Sequence, residues 1–153
     1  MRITDFFHPH DIVADLSSST REGVLRELTV KFLERRHELD QEEILGLLLE
    51  RERLGSTGIG GGIAIPHAKV PHPGKPLLVV GRSTTGIAFE ALDGKPVYLF
   101  FLLISDANSI DVYLNLLARI SRLVKDRALR ARLLDAADSD AIYACIEGQD
   151  SRL

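Results

Sequence analysis

The chain has 153 residues, 45% of them hydrophobic and 27% charged, and a formal net charge of −3. That length suits a single domain spanning residues 1–153, and the slightly acidic balance leaves no basic footprint for nucleic acid. No apolar run approaches the roughly 20 residues that cross a bilayer, and Met1–Phe7 lacks a signal-peptide stretch, so a cytoplasmic protein without membrane insertion is expected.

Near the start, His8 and His10 flank Pro9 without carboxylate partners at ligand spacing, a weak candidate for metal. Ser19 with Glu22 reads as a capping box, opening a helix that carries Val24, Leu25, Leu28, Phe32 and Leu33 on one stripe. Asp40 with Glu43 repeats the signal, and Ile44, Leu45, Leu47, Leu48 and Leu49 predict a well-buried second helix that stops at Gly55. The period then changes. Leu77–Val80 and Val97–Ile104 are continuous apolar runs expected as interior strands, with a short strand at Ile87–Phe89 and a turn at Asp93-Gly94 between them. Helical spacing returns with Val112, Leu114, Leu117, Ile120, Leu123 and Val124, and further helices are expected near Ala128–Leu134 and Asp140–Ile146. Helices on both sides of a set of buried strands imply a layered α/β domain with the sheet in the middle. Cys145, the lone cysteine, excludes an internal disulfide and a thiolate zinc site and reads as a small core residue.

The most informative stretch is Gly55-Ser-Thr-Gly-Ile-Gly-Gly-Gly-Ile-Ala-Ile-Pro-His67. Gly58, Gly60, Gly61 and Gly62 free the backbone to turn N–H groups toward an anion, and Ser56 and Thr57 offer hydroxyls to the same end. Ile63 and Ile65 anchor a short strand, and Pro66 precedes a histidine at its end. A Walker-type loop is excluded by the missing Gly-Lys-Ser/Thr ending, and the third glycine of a dinucleotide fingerprint is absent. A tight surface turn remains the plain alternative for the glycines, as does a satisfied ring for His67. The functional reading is a nucleophile: neutral imidazole can attack phosphorus and form a phosphoramidate that readily passes the group on. Backbone dipoles at Gly58–Gly62 would then cradle the transferring oxygens.

Arg51-Glu-Arg-Leu-Gly-Ser-Thr-Gly-Ile-Gly-Gly-Gly-Ile-Ala-Ile-Pro-His67-Ala resembles the phosphorylation-site signature of the fructose/mannitol-type enzyme IIA family of the phosphoenolpyruvate-dependent phosphotransferase system. The resemblance continues through Gly86-Ile-Ala-Phe-Glu-Ala-Leu-Asp-Gly-Lys-Pro-Val97 and covers nearly the whole chain. It implies an α/β sandwich around a central mixed sheet, with His67 accepting phosphate, at Nε2, from a histidine phosphocarrier protein of the HPr or NPr kind. It further implies Arg51 beside the phosphohistidine, no cofactor or metal, and as onward partner either a permease IIB component or regulatory target proteins.

Two departures stand out. Where the family carries a His-Leu dipeptide at the start of the helix after the last long strand, this chain has Tyr113-Leu114. A phenol can donate a hydrogen bond to phosphate but brings no positive charge near neutral pH. Gly61 replaces a common asparagine, and Ala68 a common glycine; neither change removes the nucleophile. The expected role is therefore a phosphoryl relay of the nitrogen-regulatory type. The alternatives are the IIA component of sugar uptake and, from a different class, a binding module that kept the fold and lost efficient transfer.

Overall fold

A computed structural model describes residues 1–153. Two single-turn 3-10 segments at Ile3–Asp5 and Pro9–Asp11 lead into strand β1 (Ile12–Val13) and helices α1 (Arg21–Leu33) and α2 (Gln41–Arg53). Strands β2 (Gly58–Gly60), β3 (Ile63–Ala64), β4 (His67–Val70), β5 (Leu77–Ile87) and β6 (Val97–Asp106) follow. The chain closes with α3 (Ile110–Leu123), α4 (Arg127–Asp135) and α5 (Ser139–Asp150). No helix is long and apolar enough to cross a membrane.

The six strands form one mixed sheet in the order β1-β5-β6-β3-β2, with β4 also pairing along β6. The long β5–β6 pair is antiparallel and central; β1 runs parallel to β5, and β3 and β4 run parallel to β6. Alternation along β6 divides the core in two. Leu99, Phe101 and Leu103 face one cluster, with Leu116, Ile120, Leu129, Leu133, Ile142 and Ile146 of α3, α4 and α5. Phe100, Leu102 and Ile104 face the other, with Leu25, Leu28, Ile44, Leu45 and Leu48 of α1 and α2. Both faces of the central strands are covered, which is why their sequences read as unbroken apolar runs. The layered α/β expectation holds.

Several local expectations shift. The α1 cap is Thr20, one residue past Ser19: its Oγ1 accepts the Gly23 N–H at 3.1 Å, and its extended backbone also bridges to Ala88. Asp40 caps α2 through the Glu43 N–H as expected, and the helix closes just before Gly55. Ile87 is the end of the long β5, reached through a register shift after Arg82, and so belongs to no separate strand. The inward stripe of α3 is Tyr113, Leu116, Ile120 and Leu123; Val112 and Leu114 face outward. That phase is what brings Tyr113 into the interior.

Candidate functional site

His67 opens β4, whose only sheet partner is β6, so the residue stands at a sheet edge where the two helix layers meet. Strand alternation turns Ala68 and Val70 into the core under α2 and leaves His67 and Lys69 outward. Around the ring lies a groove of about 430 Å³ between α2 and α3, lined by Arg51 and Leu54 on one side and by Tyr113, Leu114 and Leu117 on the other.

The imidazole is half-buried and its two nitrogens are assigned by their partners. Nδ1 lies 2.8 Å from the Ile65 carbonyl oxygen, which can only accept, so Nδ1 carries the proton. Arg51 Nε, which can only donate, lies 3.2 Å from Nε2. Nε2 therefore keeps its lone pair and faces the groove. Burial pulls the histidine pKa below its ordinary 6.5, and Arg51 and Lys69 pull it further against the opposing bond to Ile65 and the Glu52 charge. The ring is neutral near pH 7. Arg51 is itself held by α2, its Nη1 donating to the Gly55 carbonyl at 2.7 Å.

Tyr113 meets the imidazole edge-on, with ring centroids 5.9 Å apart. Burial pushes its phenol up to about 12, overriding the nearby Arg51, so it carries no charge at neutral pH. The acid of the groove, Glu50, is engaged by Arg53 at 2.8 and 3.0 Å, which leaves Arg51 and Lys69 as the local charge.

Arg51, His67 and Tyr113 are thus brought together. The glycine cradle is not. Gly60, Gly61 and Gly62 form the turn of the β2–β3 hairpin, with φ of +96°, +67° and +80°. Ile63, just past that turn, pairs with Leu99 of β6, whereas His67 pairs with Leu103. Four residues along one strand separate the two by about 13 Å. The Gly61 N–H donates to Asp93 Oδ2 at 3.1 Å, and the Arg130 guanidinium packs over the same residue. Gly58 is committed to Ser56 Oγ at 3.0 Å, and Ser56 Oγ in turn donates to the Phe89 carbonyl. The expectation that this loop faces a phosphoryl group at His67 is corrected: the hairpin turn lies along the sheet from the imidazole, and the Gly58 and Gly61 amides and the Ser56 hydroxyl are bonded to Ser56, Asp93 and Phe89.

Thr57 acts at one remove. Its N–H and its hydroxyl both donate to the buried Glu52 carboxylate, and its carbonyl accepts the Ile65 N–H at 3.0 Å. Ile65 is the residue whose carbonyl orients His67, so a chain of hydrogen bonds runs from α2 to the imidazole. Sequence reading passed over Glu52 and Lys69. Lys69 was discoverable, since a residue two positions from His67 on a strand shares its face. Glu52 carried no such signal, because its role depends on a loop closing back over α2.

The sequence matches the family of phosphoenolpyruvate-dependent sugar phosphotransferase system EIIA 2 domains over residues 5–149. It is 36% identical over 146 residues to a nitrogen regulatory protein of Bradyrhizobium diazoefficiens, covering 95% of each chain. It is also 36% identical to the fructose-specific EIIABC component of Bacillus subtilis over 98% of this chain, which spans 24% of that longer protein. Among solved structures, the nitrogen regulatory protein IIA-Ntr of Neisseria meningitidis superposes with a TM-score of 0.88 at 28% identity, over 94% of this chain and 98% of that one. The mannitol IIA of Escherichia coli shares the fold, with a TM-score of 0.76 at 19% identity over 92% and 98% of the two chains. With its sheet, helix layers and histidine-bearing edge strand in place, this chain belongs to the EIIA type 2 family of the phosphotransferase system.

Proposed function

We propose that this protein is a phosphoryl relay that takes the group onto His67 Nε2 from a phosphorylated histidine carrier protein and passes it to a further protein. The observation that carries the reading is the tautomer: a half-exposed imidazole at the groove whose proton is fixed on the Ile65 side and whose Nε2 lone pair accepts the Arg51 Nε–H, a bond that Arg51 exchanges for the phosphoryl oxygens when the group arrives. In the forward step the Nε2 lone pair attacks phosphorus while the donor's N–P bond breaks and its electron pair returns to the donor imidazole. The Nδ1 proton stays on His67, where the Ile65 carbonyl stabilises the positive charge that develops on the ring. Arg51 faces the phosphoryl oxygens. No part in this chemistry falls to Gly58, Gly60, Gly61, Gly62 or Ser56, and Thr57 serves by orienting Ile65.

The groove has apolar walls at Leu54, Leu114 and Leu117, suited to a docking protein, and its two free cations suit an incoming phosphoryl group. Likeness over nearly the full length to nitrogen regulatory proteins, in sequence and in structure, supports the regulatory type over sugar uptake. Incubation with phosphoenolpyruvate, the first general enzyme of the system and its phosphocarrier tests the relay. One phosphoryl mass is expected on the protein and none on His67→Ala.

A second reading is favoured by Tyr113, which brings no charge to the phosphoryl position: a binding module that keeps the fold without transfer. Retained partner binding with no labelling by any cognate carrier would select it.

A further inference from the structure

A phosphoryl group on Nε2 adds about two negative charges, and Arg51 alone offsets at most one of them. Residue 113 cannot help by charge, because its phenol is neutral. The groove offers one other cation. Lys69 is exposed, enters no ion pair, and leaves β4 on the same side as His67. Its ammonium lies over the Tyr113 ring, Nζ 5.2 Å from the centroid, within the range of a cation–π contact. The same ring presents itself to the imidazole at 5.9 Å. Tyr113 is buried in the core on the first turn of α3, so the platform it offers is fixed. It therefore touches both the nucleophile and the lysine.

We propose that Lys69 is a second phosphoryl-binding cation of this site and that Tyr113 is its positioning residue, holding the ammonium over the ring face within reach of the group on His67. This rests on the relay reading above. In the phosphorylated protein Lys69 keeps its proton and donates N–H bonds to non-bridging phosphoryl oxygens opposite Arg51; no proton leaves it during transfer. The function of residue 113 is then carried by the face of its ring more than by its hydroxyl.

The test uses the full chain, charged by phosphoenolpyruvate, the first general enzyme and the phosphocarrier, with the equilibrium yield and half-life of the phospho-form as readouts. Lys69→Met is expected to lower the phospho-form to carrier ratio about tenfold, the lower end of the scale for one lost hydrogen bond to a charged group. Lys69→Arg is expected to restore most of it, a rescue that a purely structural role would not give. Tyr113→Leu should cost about as much as Lys69→Met, and the double variant no more than either alone, since the two act as one unit. Tyr113→Phe should cost clearly less than Tyr113→Leu. An unchanged yield in Lys69→Met, with the unmodified protein labelling normally, overturns this proposal and leaves the relay standing. Multiplying effects in the double variant overturn the positioning role, as does a Tyr113→Phe loss equal to that of Tyr113→Leu. Absence of any labelling of the unmodified protein overturns both.

Discussion

The β2–β3 hairpin and the His67 groove are neighbours in sequence and differ in almost every physical respect. The hairpin holds backbone in a conformation that side chains resist, and its donors are consumed by Asp93 and Ser56. The groove holds regular strand backbone, with a half-buried imidazole, an Arg51 bonded to that ring but to no carboxylate, and an exposed Lys69 in no ion pair. A glycine run next to a groove-facing histidine invites one explanation for both. The structure separates them: the glycines are required by the turn, and the turn matters because it launches the strand that carries the histidine. Hydrogen bonds in the hairpin fix backbone, whereas those in the groove set the tautomer of a side chain that stays open to an incoming group.

His67→Gln divides the two regions most sharply. Glutamine keeps a polar side chain that can face Ile65 but has no nucleophilic nitrogen, so phosphoryl acceptance should vanish while the protein still unfolds in one cooperative urea transition. Labelled glutamine variant would remove His67 from the reaction and return attention to the other histidines. Arg51→Gln comes next. Loss of a charged donor aimed at the reacting group costs about 10²-fold in comparable sites, so the transfer rate from the carrier should fall by that order, read in single-turnover mixing. A rate within threefold would mean that Arg51 only braces the end of α2 through Gly55.

Gly58→Ala probes the hairpin from the opposite side. The added methyl would meet the Ala91 backbone Cα at 2.9 Å and its Cβ at 2.8 Å, contacts that no flexible side chain can relieve. Overpacking of that kind costs about 1–3 kcal/mol, visible as a lower urea midpoint. The fraction that remains folded should still accept phosphate at the ordinary rate, because Gly58 donates to Ser56 and not into the groove. A stable variant with slowed transfer would restore the cradle that the geometry removes.

The same contrast explains what was legible in the sequence. Apolar runs at Leu77–Val80 and Val97–Ile104 announced the central strands because burial on both faces leaves no polar position to confuse them. Asp40 and the stop at Gly55 were readable because caps act within a few residues. His67 and Arg51 could be read as neighbours from their shared motif, because only the end of α2 and the β2–β3 hairpin separate them along the chain. The glycines misled because positive φ and anion binding leave the same trace in a sequence; only the partners of the Gly61 N–H distinguish them. The phase of α3 misled because apolar residues occupy both Leu114 and its neighbours, and the sheet edge decides that Tyr113 turns inward. The chain from Glu52 through Thr57 to Ile65 joins groups whose proximity is created by the fold itself.

The smallest expected effect concerns acid. Burial, first among the causes, holds the His67 pKa below the ordinary value of 6.5 that the unfolded chain shows. Protonation is then harder in the folded protein than in the unfolded one, so the unfolded state binds the extra proton first as pH falls. The contribution to stability is fully present above about pH 6.5 and is lost progressively as pH drops through that value toward the lower folded pKa. His67→Gln removes this one titration and leaves the carboxylates unchanged. The gap in urea midpoint between the two proteins should therefore shift in favour of the glutamine variant between pH 7.5 and pH 5.5, conditions chosen about one unit either side of the free histidine value. A gap that stays constant across that range would mean the ring is protonated as easily in the fold as out of it. Burial would then add nothing to the neutrality of the ring, and the hydrogen bonds to Ile65 and Arg51 alone would keep Nε2 unprotonated.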